Sequence, residues 1–68
     1  MYRPILNDSG VQIGYADGEA AYNLRGKMLY HVDKDGALMR LGDGKVVGTL
    51  IAAGAALAAV GDCEALFS

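Results

Sequence analysis

Gly10-Val11-Gln12-Ile13-Gly14-Tyr15, Gly26-Lys27-Met28-Leu29-Tyr30-His31 and Gly44-Lys45-Val46-Val47-Gly48-Thr49 are three stretches of one kind, a glycine followed by a short apolar segment. Gly18, Gly36 and Gly54 form a second series at steps of eighteen. Eight positions separate each of these from the next place in the first series: 18 to 26, 36 to 44, and 54 to 62, where Asp62 breaks the pattern. Fixed periodicity marks a repeat architecture. Counting back eight from Gly10 reaches Tyr2, so four units tile the chain: 2–18, 19–36, 37–54 and 55–68.

Each unit alternates apolar segments with glycine-bearing turns. The turns are Asn7-Asp8-Ser9-Gly10, Asp17-Gly18, Arg25-Gly26, Asp33-Lys34-Asp35-Gly36 and Gly42-Asp43-Gly44. Glycine takes the positive φ that tight turns require, while Asn and Asp bond back to the local backbone. Asp-Gly between apolar segments is a strong hairpin signal. The segments between turns run five to seven residues, a length that suits strands and is too short for helices. The sequence therefore predicts an all-β chain of four antiparallel hairpin-like repeats, one domain over residues 1–68.

Ile13, Leu29 and Val47 each stand third after their glycine, and period-two alternation sends them to one common core. The same alternation puts Met28, Tyr30, Val32, Val46 and Leu50 on the opposite face. A second apolar face on so short a chain calls for another sheet, within the molecule or across a subunit boundary. Towards the end of the chain, Ala52, Ala53, Ala55, Ala56, Ala58 and Ala59 favour a short helix ending at Gly61, whereas the repeat register predicts a strand over 55–60. The register persists through Gly54, and strand is preferred. Residues 62–67 read as a helical turn or an edge strand.

Composition narrows the function. Eight acidic and six basic residues leave a net charge of −2, without the cationic footprint that nucleic acid binding needs. Apolar residues make up 53% and charged residues 21%, which excludes a disordered tail. Cys63 is the only cysteine, so no internal disulfide forms and no cysteine cluster holds zinc. The one long uncharged stretch, 46–61, is sixteen residues and broken by Gly48 and Gly54, short for a membrane helix. No apolar signal core opens the sequence. The expectations are a cytoplasmic protein, no membrane partner and no cofactor. A domain of about 60 residues buries only around 60% of its unfolded surface, and self-association is the stabilising device left open.

The segments Ile5-Leu6-Asn7, Gly10-Val11-Gln12-Ile13-Gly14-Tyr15 and Ala21-Tyr22-Asn23-Leu24-Arg25-Gly26 resemble the small bacterial proteins of the 4-fold beta flower family. That family repeats Tyr-Asn/Asp-x-x-Gly and Gly-x-x-apolar-Gly steps, and the resemblance covers nearly all of the chain. Unit three departs from it, with Met39-Arg40-Leu41 in place of the Tyr-Asn step, as does the alanine-rich fourth unit. The resemblance implies four hairpin petals about a pseudo-fourfold centre. It implies no activity, and a fold would not supply one.

No catalytic constellation stands out. His31 is the one side chain that ordinarily titrates near neutrality, and Asp33 lies two residues on along an extended strand. An enzyme reading would need the two brought together around a symmetry axis of an oligomer. Asp33-Lys34-Asp35-Gly36 opens like a calcium loop, but the twelfth position is Gly44 where a glutamate is required. Gly42-Asp43-Gly44-Lys45 lacks the spacing and hydroxyl of a phosphate loop. Cys63 sits between Asp62 and Glu64, which oppose thiolate formation. Tyr2, Tyr15, Tyr22 and Tyr30 recur at similar repeat places and suit half-buried sheet surfaces. The sequence thus points to a non-enzymatic module that self-associates or docks on a protein. The alternative is a small-ligand binder with tyrosines around the repeat hub or a subunit axis. Tyr15, Tyr22, Tyr30, Met28, Val32 and His31 are the residues expected at such an interface or site.

Overall fold

The computed structural model describes residues 2–60 and Phe67. Seven strands follow in chain order: β1 (Arg3–Leu6), β2 (Gln12–Ala16), β3 (Ala20–Asn23), β4 (Met28–Val32), β5 (Ala37–Arg40), β6 (Val46–Ala53) and β7 (Ala56–Val60). No described residue is helical. Each strand pairs antiparallel with the next, and β1 and β7 close the sheet into a barrel. The closing pair is parallel, Ile5 opposite Leu57 and Leu6 opposite Ala58. An up-and-down chain with an odd number of strands has no other choice, because its first and last strands run the same way. In the alanine-rich fourth unit, β7 shows that pairing with β6 and β1 overrides helix propensity.

The two glycine series are the two rims. Gly10, Gly26 and Gly44 lie in the turns after β1, β3 and β5; Gly18, Gly36 and Gly54 lie in those after β2, β4 and β6. Three turns share one construction. The Oδ1 atoms of Asn7, Asn23 and Asp33 each accept the backbone N–H groups two and four residues on, at 2.8–3.0 Å. Gly10, Gly26 and Gly36 follow three residues after these caps with φ of +79°, +83° and +88°. That is a type I turn closed by a left-handed residue, a place where a β-carbon is costly.

Ile13, Leu29 and Val47 share a role that strict alternation hides. Ile5 faces Gly14 while Leu6 faces Gln12, so Ile13 is an extra residue, a β-bulge. Leu29 is skipped in the same way between Tyr22–Met28 and Ala21–Tyr30, and Val47 between Met39–Val46 and Leu38–Gly48. Bulges bend a strand and raise its twist, which a narrow barrel needs in order to close. They stand on β2, β4 and β6, every second strand.

Each bulge also exchanges the two faces, and this corrects the face assignment made from alternation. Tyr30 and Leu50, expected on the outer face with Met28 and Val46, are each 6% exposed and belong to the core with Ile5, Ala16, Ala21, Leu38 and Ala59. Val46, before its bulge, is 62% exposed. Ile13, Leu29 and Val47 pack against the core half-buried, as does Val32. Phe67 enters the same core, its ring edge-on to Tyr30 with centroids 5.5 Å apart. A β-carbon at Gly14 would meet that ring at 2.9 Å, so glycine makes the room Phe67 occupies. Closure therefore gives one of the two apolar faces an intramolecular partner.

Candidate functional site

The outer wall holds two features. The first is a tyrosine hollow. Tyr15 of β2 faces Tyr22 of β3 across the ladder, and Pro4 and Met28 continue the row on either side. Tyr2 leans on Tyr22, edge to face, at 5.7 Å and 75°. Tyr2, Tyr15, Tyr22 and Gly26 enclose an open hollow of about 260 Å³. Nothing would obstruct a β-carbon at Gly26, whose φ is +83°, so that edge is open space.

Asp17 fixes the corner. Its Oδ1 accepts the N–H groups of Glu19 and Ala20, both at 2.8 Å, which ties the β2–β3 turn. Its other oxygen accepts the Tyr22 hydroxyl at 3.1 Å. The Glu19 and Ala20 amides, joined by that hydroxyl, hold the Asp17 carboxyl below its ordinary value. The hydrogen bond to Asp17 raises the Tyr22 phenol in turn. At neutral pH the corner therefore carries a fixed carboxylate bonded to the hydroxyl of a neutral, oriented ring.

The second feature is an uncharged strand edge. β5 pairs with β6 only as far as Thr49, and Leu50 donates its N–H to Gly36 at 2.7 Å. Beyond that point Ile51–Ala53 have β7 on one side and, among the described residues, no strand on the other. The sequence carries no charge from Val46 to Val60. Ile51 is 54% exposed and Val60 47%. The two-residue turn at the tip places Gly54, φ +66°, at its first central position, where glycine is favoured.

The residues picked from sequence separate between the two sides of the wall. Tyr15, Tyr22 and Met28 share one outer row, whereas Tyr30 lies inside and Val32 packs half-buried on the core. His31 is exposed on the outer face of β4, paired with Ala20 and Met39. Asp33 does not orient it, because its carboxylate closes the β4–β5 turn through Asp35 and Ala37. The 40–45 turn is held by Asp43, which takes the Arg40 guanidinium and the Lys45 N–H. Among the described residues no three His, Cys, Asp or Glu side chains gather to hold a metal ion. No described helix is long and apolar enough to cross a membrane. Cys63 and the 62–66 segment lie outside the described residues.

Two contributors escaped the sequence reading, and Tyr2, named there with the other tyrosines, was left out of the expected site. Asp17 could have been found from its place across a tight turn from Tyr22. The bare edge of β6 had no such signal, since it depends on where β5 stops. No protein family, curated protein or solved structure matches this chain.

Proposed function

We propose that this chain is a non-enzymatic interaction module that associates with a second copy of itself through the exposed edge of β6. The observation that carries the reading is the uncharged segment Ile51–Ala53, which among the described residues pairs with β7 on one side and with no strand on the other. Natural proteins guard free edges with lysines, prolines or covering loops, because bare backbone groups template pairing with another strand. Ile51–Ala53 carries neither lysine nor proline, and no strand among the described residues pairs with its outer side. Two such edges meeting antiparallel about a twofold axis would continue both sheets, with the exposed Ile51 at the seam. A chain this small has reason to gain core in that way. The four glycine-delimited units, the last built on β7, are read in this proposal as the petals of a 4-fold beta flower protein.

Amide hydrogen exchange tests it. Leu50 points its N–H toward β5, so Ala52, two residues on, presents its own N–H on the same side, with no strand of the described residues opposite. In a pair of chains the Ala52 amide is protected, and dilution or Ile51→Lys exposes it. An Ala52 amide that exchanges at the rate of open chain at every concentration rejects the reading.

A second reading, small-ligand binding, is favoured by the tyrosine hollow, whose walls are already oriented by Asp17 and by the Tyr15–Tyr22 pair.

A further inference from the structure

We infer that the tyrosine hollow binds a small zwitterion in which a quaternary ammonium is joined to an anion, phosphocholine being the type. The inference rests on the ligand-binding reading above and adds the chemistry of the ligand. Three rings supply the first half of it. Aromatic faces carry negative charge density and attract organic cations. Tyr2 and Tyr22 form a corner at 75°, and Tyr15 stands beside Tyr22 on the next strand. A methyl-covered cation can therefore touch more than one ring at once. The Asp17 carboxylate, bonded to the Tyr22 hydroxyl, adds a fixed negative charge at the tip of that ring.

The hollow selects against ordinary ammonium groups. A lysine-type –NH₃⁺ brings three donors and a strong hydration shell. The lining offers it few acceptors, since the surface is mostly ring carbon and the Asp17 oxygens already take the Glu19 and Ala20 N–H groups and the Tyr22 hydroxyl. A quaternary ammonium has no N–H to satisfy and a weaker hydration shell to shed on entering.

The anionic half follows from Gly26. Its chain neighbours Arg25 and Lys27 are both exposed and line a second hollow of about 460 Å³ with Asn23, Leu24 and Phe67. A bare cation would meet these two positive charges at the Gly26 side of the tyrosines. A ligand carrying its own anion turns that repulsion into attraction, because the anion reaches the cations while the ammonium stays among the rings. Carboxylate charge on one side and basic charge on the other thus match a zwitterion in one orientation.

The test is a titration of the full chain near pH 7, followed through tyrosine ring resonances and the N-methyl protons of the ligand. Phosphocholine is expected to give saturable shifts of the Tyr2, Tyr15 and Tyr22 rings. Replacing its nitrogen by carbon, as in 3,3-dimethylbutyl phosphate, is expected to weaken binding about two- to fivefold or more, the size of a partly exposed cation–π contribution. Tyr2→Ala, at a residue 63% exposed, is expected to weaken phosphocholine by a similar factor without unfolding the chain. Lys27→Ala is expected to weaken phosphocholine and leave choline unaffected or tighter. Vesicles of phosphatidylcholine distinguish a membrane headgroup from a soluble ligand: co-sedimentation with them assigns the former, and binding of free phosphocholine alone assigns the latter. Equal affinity for 3,3-dimethylbutyl phosphate overturns the ammonium assignment while the hollow remains a ligand site. Absence of any saturable shift in the three tyrosines overturns both.

Discussion

Replacing Phe67 by alanine asks whether the barrel interior is assembled as described. The ring is 5% exposed, stands edge-on to Tyr30 at 5.5 Å and 63°, and fills the space left by the missing β-carbon of Gly14. Truncating a buried phenylalanine costs about 3–5 kcal/mol, and the lost aromatic pair accounts for roughly 0.5–1.5 kcal/mol of that. At roughly 0.05–0.15 kcal/mol per residue, a chain of this length has about 3–10 kcal/mol in all. The substitution is therefore expected to remove between a third and the whole of the stability. Urea unfolding followed by far-ultraviolet circular dichroism measures it, with a slope near 1 kcal/mol/M placing the midpoint about 3 M lower, or leaving no folded baseline. Phe67→Leu keeps most of the apolar volume and is expected to lose about half as much or less. A loss below about 1 kcal/mol for Phe67→Ala would show that the ring does not complete the core. Gly14→Ala offers an independent check from the opposite side. It is expected to destabilise even with leucine at 67, because the new methyl also runs into the backbone carbonyl of Tyr22.

Other consequences follow from the turns. Asn23 is 9% exposed and its Oδ1 holds two backbone amides, so Asn23→Ala is expected to cost about 1–3 kcal/mol in a urea melt. Asn23→Asp is expected to cost much less, since Asp33 builds the same turn with a carboxylate. Asp17 has its carboxyl lowered in the folded chain by the Glu19 and Ala20 amides and the Tyr22 hydroxyl. Its contribution is complete above the unfolded carboxylate range and is lost as pH falls through the lower folded value. Acid melts of Asp17→Asn are expected to lack that component, and an unchanged acid profile would remove the role given to Asp17. Tyr22, raised by the same bond, is expected to ionise at higher pH than an ordinary tyrosine in an ultraviolet titration, and Asp17→Asn to bring it down. Its contribution runs the other way, present below the unfolded phenol value and lost as pH rises through the higher folded one.

How far the sequence reaches is set by which interactions are local. Asn7 with Gly10 and Asp33 with Gly36 close their turns using residues within four positions of one another, and these were legible, as was the Arg25-Gly26 turn, though not the Asn23 side chain that closes it. So were the two rims, since the glycine series mark alternate ends of the strands. Faces were not. Met28 and Tyr30 share a parity and would share a face on a regular strand, yet Leu29 between them is a bulge, and Tyr30 turns inward. Val46 and Leu50 part company across Val47 for the same reason. A bulge depends on the partner strand, which no local pattern reveals. The tyrosines divide accordingly: Tyr2, Tyr15 and Tyr22 line the outer hollow, and Tyr30 packs with Phe67 inside. Closure was out of reach as well, because it rests on two residue pairs between strands fifty residues apart.

The exposed edge of β6 is the centre of the functional account, and the mass of the untagged chain in solution tests it most directly. Light scattering coupled to size exclusion, run over a dilution series, reads that mass without a label. The account predicts a mass of twice 7.1 kDa at high concentration, falling to 7.1 kDa on dilution, and 7.1 kDa throughout for Ile51→Lys. A mass of 7.1 kDa for the unmodified chain at every concentration would contradict it, as would a dimer that Ile51→Lys leaves intact.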